Sequence, residues 1–189
     1  MNFFNLTKMP FSFHGGWDTV ITVHPSVIRT FFLLVLPFSF IPPATLLYAG
    51  SDHVSMFSLS IGDGRWKEVA LVFFIAELLT VPFMGWLIKN IAAEHKLSVD
   101  FKDAFLLASI TAVPMWISGL CLAASDIWVM IVIGVAGLMI AASLLYHGVY
   151  AILKMKDEFE AQSLSYQVFS VGAIVWVMLC SYIVLPLMN

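Results

Sequence analysis

Residues 69–88 read VALVFFIAELLTVPFMGWLI. Wound as a helix at about 1.5 Å per residue, a stretch of this length crosses a hydrocarbon core about 30 Å thick. Its single charged side chain is Glu77. Four further stretches share its character, at 30–49, 104–124, 127–153 and 168–188, and none of them holds a charge. Together the five cover more than half of the 189 residues. They predict an all-α polytopic membrane protein, with five transmembrane helices in one compact bundle and no soluble domain. Residues 1–29 read as a cytoplasmic, partly interfacial arm, with Phe3, Phe4, Leu6, Phe11, Phe13 and Trp17 at headgroup level. Residues 30–189 form the five-span domain.

The totals agree with that reading. Hydrophobic residues make up 61% of the chain and its mean hydropathy is +0.95. Soluble domains contain about 45–50% apolar residues, so lipid must absorb much of this surface. The first apolar stretch is too long for a signal-peptide core and lacks a suitable cleavage site, so residues 1–29 are expected to be retained. Nine basic residues and a net charge of −3 leave no patch for nucleic acid. Cys121 and Cys180 both fall inside spans and read as apolar fillers. His53 beside Asp52 is too small a cluster to predict a metal. No nucleophile elbow, phosphate loop, zincin motif or cofactor fingerprint occurs, so neither a catalytic residue nor a cofactor is expected.

The connectors orient the chain. Lys8, Arg29, Lys89, Lys96, Lys102, Lys154 and Lys156 fall on one side of a five-span topology, and only Arg65 and Lys67 on the other. Basic residues in short loops stay in the cytoplasm, which predicts a cytoplasmic N-terminus and an outer C-terminus. Pro37, Pro42 and Pro43 leave one alternative, a re-entrant first segment. Residues 50–67 form the one sizeable outer loop, closed by a Gly62-Asp63-Gly64 turn.

Apolar surface gives helices no reason to associate in lipid, so close backbone packing must hold them. Gly134, Ala141 and Gly148 recur every seventh residue, with Gly137 beside them, and Ala104, Ala108 and Ala112 repeat every fourth. Both stripes are expected at helix contacts within the bundle, with a face between two copies as the alternative.

Glu77 is the candidate site. A carboxyl at mid-membrane is expensive and faces protein or a water cavity. Counting about 1.5 Å per residue puts 39–43, 114–118, 134–137 and 180–182 at its depth. That layer holds Ser118, Tyr182 and the helix breakers Pro42, Pro43 and Pro114. The prolines free the carbonyls of Phe38, Ser39 and Ile110. Two readings stay open: a protonated Glu77 donating to a freed carbonyl, Ser118 or Tyr182 as a structural bond, or a proton or ligand site. On the structural reading, Glu77→Gln is tolerated and Glu77→Leu costs more. Tyr146 and His147 lie near the cytoplasmic end of the fourth span, about 15 Å from Glu77 by the same count. They read first as an interfacial belt and second as a cytoplasmic mouth.

The expected function is a non-enzymatic membrane protein that organises the bilayer or handles a small solute or lipid-like ligand. The alternatives are a proton-coupled transporter and a scaffold for other proteins. Membrane lipids, a second copy or other membrane proteins are the expected partners.

Several short pieces, in order, resemble the bacterial branch of the Yip family. They are His24-Pro25-Ser26, Gly62-Asp63-Gly64, Ala112-Val113-Pro114, Ser118-Gly119-Leu120 and Leu144-Leu145-Tyr146-His147-Gly148, followed by an acidic loop and a serine, Ser163 or Ser165. The resemblance runs from about residue 24 onward. It implies five spans, a cytoplasmic N-terminus and a place in the bacterial inner membrane. Two departures stand out. Ser109-Ile110 replaces a Gly-Tyr pair common ahead of the span-three proline, and the arm lacks the Asp-Leu-Tyr-Gly-Pro motif of eukaryotic relatives. The small-GTPase partner of those relatives is therefore not carried over.

Overall fold

The computed structural model describes residues 8–12, 16–49, 63–124 and 126–188, with residues 63–65 and 183–188 described by backbone alone. The His53 loop and Phe3, Phe4, Leu6 and Phe13 lie outside the described residues.

All regular structure among the described residues is helical. A 3-10 turn, Met9–Phe11, leads to the short helix α1, Trp17–Val23. His24 ends α1 in the left-handed region at φ 39° and its N–H donates to the Val20 carbonyl. Five long helices follow. They are α2 (Val27–Tyr48), α3 (Asp63–Glu94), α4 (Phe101–Ser118), α5 (Ile127–Ala151) and α6 (Glu158–Met188). Among the described residues these five are long and apolar enough to cross a membrane.

α3 begins and ends beyond its apolar stretch, and α2, α4 and α6 begin ahead of theirs, because caps, rather than hydropathy, set helix limits. Asp157 starts α6 ten residues ahead of its apolar run, accepting from the N–H groups of Phe159 and Glu160 at 2.9 and 3.1 Å. Asp126 caps α5 by accepting from the Trp128 N–H at 2.7 Å. Asp63 and Gly64, expected in a turn, already belong to α3.

Proline shapes α2. A π-helical turn, Phe31–Val35, precedes Pro37, and the helix breaks at Phe40. It restarts at Ile41 with prolines in its first turn. A missing N–H costs nothing there, because first-turn donors have no helical partner. The Phe38 carbonyl that Pro42 leaves free accepts locally from the Phe40 N–H. α2 thus runs as one interrupted segment of spanning length.

α3 shows why lipid is needed. Trp66, Ala70, Phe73, Glu77, Val81 and Ile88 are buried, while Leu71, Ile75, Leu79, Phe83 and Trp86 are exposed. Both rows advance at helical spacing, yet nearly every member is apolar. An exposed row of large apolar side chains has no place in water. Around α3, the second half of α2, α4 and α6 all make contact; α5 packs on both α4 and α6.

Two glycines let neighbouring segments of backbone come close. A Cβ on Gly85 would come within 3.0 Å of the Phe105 Cα, where α3 meets α4. One on Gly119, in the 3-10 turn Gly119–Ala123 that ends α4, would meet the Pro42 ring at 3.0 Å.

Trp17 departs from expectation. It is fully buried instead of lying at headgroup level. Its indole N–H donates to the Met9 carbonyl at 3.1 Å, and its ring lies against Gly148 of α5. An aromatic arm with no period looks interfacial in sequence; here the glycine opens a socket for it.

Candidate functional site

All five long helices contribute to a cavity of about 670 Å³. Its wall is built from faces with helical spacing: Phe73, Glu77, Thr80, Val81 and Met84 of α3, and Met130, Ile131, Gly134, Leu138 and Ala141 of α5. α2 adds Pro42 and Leu46, α4 adds Thr111, Met115, Trp116 and Ser118, and α6 adds Gly172, Trp176 and Cys180. The volume lies within the range of about 300–1,000 Å³ common for small-molecule sites.

Glu77 is the one charged residue among the described lining. It lies midway between Trp66 and Ile88, the outermost α3 residues in the wall, about 16 Å along the helix from each. The side chain is only 8% exposed. The Trp116 indole is its polar neighbour. Oε2 is buried and has no partner among the described residues. Such an atom costs about 1–3 kcal/mol unless something satisfies it.

The hydroxyl protons of the wall are already committed, although the oxygens can still accept. Thr80 donates to the Ala76 carbonyl at 2.7 Å, Thr111 to that of Leu107 at 2.8 Å, and Ser118 to that of Met115 at 2.7 Å. Ser118 therefore lies in the wall with Glu77, but its proton serves its own helix. Pro42 lines the cavity beside Gly119, whereas Pro43 is buried outside the lining. Pro114 is half-buried, and its carbonyl would lie 3.2 Å from a Cβ on Gly137.

Tyr182 does not join this site. It is 42% exposed and absent from the described lining, where Cys180 stands instead. Counting residues finds depth but not direction, and two residues turn a helix by about 200°. Trp116 was missed for a different reason. It falls within the bracketed layer 114–118, but an indole in an apolar run reads as core, and its donor becomes informative only beside Glu77.

The small-residue positions divide. Gly137, Ala141 and Gly148 are buried. A Cβ on Gly137 would press on Ser118 at 2.8 Å, and one on Gly148 on Leu107 and, at 2.8 Å, on the Trp17 ring. Gly134 is different: among the described residues nothing lies within 4 Å of its added Cβ, so there it leaves space rather than making a helix contact.

Tyr146 and His147 lie outside the lining, beside the docked arm. His147 Nδ1 is 2.7 Å from the Ser143 carbonyl, and the Ser143 hydroxyl donates to the Pro10 carbonyl. The Tyr146 ring meets His147 and Tyr150 edge-on at 5.6 and 5.8 Å. Among the described residues no three of His, Cys, Asp and Glu are grouped to hold a metal.

Five spanning helices with lipid-facing apolar rows define a multi-pass membrane protein. The Yip1 domain matches residues 10–180, and the chain belongs to that family. The match takes in the docked arm from Pro10, well ahead of His24, where the short motifs begin. Comparison with curated proteins and with solved structures found no match.

Proposed function

We propose that this chain is a non-enzymatic membrane protein that holds a small lipid-like ligand in the cavity around Glu77. The observation that carries this reading is an almost wholly apolar chamber, shared by five helices, with one buried acid at its middle. A solute pathway would need more polar wall than committed Thr and Ser hydroxyls provide. The test is the lipid carried by protein purified in nanodiscs, read by mass spectrometry. A filled chamber in Gly134→Leu should lose a species that wild type retains. Equal lipid content in the two proteins would refute the reading.

The unpartnered Oε2 favours a second reading, in which Glu77 cycles a proton during transport. An amide cannot do so. On that reading Glu77→Gln folds normally and fails in growth complementation, whereas ligand holding survives the change.

The seven-to-two division of basic residues supports a cytoplasmic N-terminus and an outer C-terminus, and the resemblance to the bacterial branch of the family supports a place in the bacterial inner membrane. Cysteines introduced at His95 and Glu160 should react from the cytoplasm, and at Phe57 and Asn189 from outside. Reaction of 57 and 95 from the same side would refute this topology. A second copy or other membrane proteins remain proposed partners beside lipid.

A further inference from the structure

Resting on the ligand-holding reading, we propose that the cavity selects a neutral long-chain alcohol, whose hydroxyl meets Glu77 Oε2. The argument starts from what the wall still offers. Oε2 is its one buried side-chain oxygen without a partner among the described residues, and the Thr80, Thr111 and Ser118 hydroxyls already donate to their own helices. Those hydroxyl oxygens can still accept, but the carboxyl is the described wall's one acid and carries its one orphaned oxygen, so it is the anchor the wall offers. Everything else the ligand touches is essentially apolar.

That inventory separates headgroups. Phosphate and carboxylate need a cation, and the described lining contains no Lys, Arg or His. An ammonium brings three donors and a full charge into an essentially apolar interior. A hydroxyl has one donor and two lone pairs, so it can donate to a carboxylate or accept from a protonated carboxyl. It satisfies Glu77 in either state. The chamber continues about 16 Å along α3 to each side of Glu77, so an attached chain has apolar wall in both directions.

The experiment uses the full chain in phosphatidylcholine nanodiscs and a hexadecanol probe carrying a photoreactive diazirine in its chain. Labelled peptides are mapped by mass spectrometry. Unlabelled hexadecanol, hexadecane, hexadecylamine and palmitate serve as competitors. Hexadecanol should compete about tenfold better than hexadecane, the worth of one polar contact within a membrane protein. Palmitate and the amine should do no better than hexadecane. Glu77→Leu should still label but lose the alcohol's advantage, and Glu77→Gln, which keeps a donor and an acceptor, should retain it. Gly134→Leu should abolish labelling of the α3 and α6 wall, with folding followed by elution as a single species. Equal competition by hexadecane and hexadecanol in wild type, or an alcohol preference that survives Glu77→Leu, would overturn the headgroup assignment while leaving the ligand chamber standing. Unchanged wall labelling in Gly134→Leu would overturn both.

Discussion

Gly134 and Gly148 lie on one face of α5, yet they do opposite things. At Gly148 a Cβ would collide with Leu107 and with the Trp17 ring; at Gly134 it would meet nothing among the described residues. Between them, Gly137 fits against Ser118, the last residue of α4 before the chain tightens into the Gly119–Ala123 turn. One turn further along α5, no atom of the described residues answers Gly134. A glycine in a membrane helix therefore marks close packing only where a neighbour fills the space it leaves. Where none does, it helps to make a chamber.

The largest expected effect breaks the packed end. Trp17→Ala removes a fully buried indole and its hydrogen bond to Met9. Emptying such a socket costs about 3–5 kcal/mol in protein cores. The loss should appear as a much lower unfolding midpoint in detergent, with the arm cleaved by protease at concentrations that spare wild type. A midpoint unchanged by Trp17→Ala would mean that the arm is not anchored through this residue.

Gly148→Leu attacks the same contact from the other side. The added side chain must displace Trp17, Leu107 or both. Overpacking of this kind costs about 1–3 kcal/mol. Because both substitutions break one contact, the double variant should lose less than the sum of the two singles. Full additivity would separate the two residues and remove the socket from the account.

Gly134→Leu sharpens the contrast by moving stability the opposite way. Leucine is favoured over glycine in a helix by somewhat under 1 kcal/mol, and here its Cβ meets no steric penalty. The unfolding midpoint should hold or rise slightly. A fall as large as that of Gly148→Leu would show that the two positions are equally packed.

How much of this was legible depends on what each kind of count measures. Hydropathy found the five helices because lipid contact demands a run of apolar residues, as in 69–88. It misplaced their ends, since Asp157 begins α6 through hydrogen bonds that no apolar window registers. Depth counting brought Glu77 and Ser118 into one wall, and it also put Tyr182 there, because depth carries no information on rotation. Small-residue spacing found the α5 face but could not say which glycine had a neighbour. Trp17 stayed hidden, since its partner Gly148 lies more than a hundred residues away and neither residue alone implies the other.

The smallest expected effect is the one that revises an expectation. Glu77→Leu looked costly while the carboxyl was assumed to bond a freed carbonyl, Ser118 or Tyr182. In the structure Ser118 donates to Met115, Tyr182 lies elsewhere, and Oε2 bonds nothing among the described residues. Replacing Glu77 by leucine gives up the contact with Trp116 but also removes a buried unsatisfied oxygen. The first loss is worth about 0.6–2 kcal/mol between membrane helices. The second gain is of similar size, about 1–3 kcal/mol. The two nearly cancel, so in delipidated protein Glu77→Leu should unfold within about 1 kcal/mol of wild type. Glu77→Gln should not exceed it, because the amide brings two donors into the same apolar space. A loss of several kcal/mol in Glu77→Leu, rescued by Gln, would mean that Oε2 has a structural partner after all. The carboxyl would then belong to the packing, like Gly148, and no longer to the chamber.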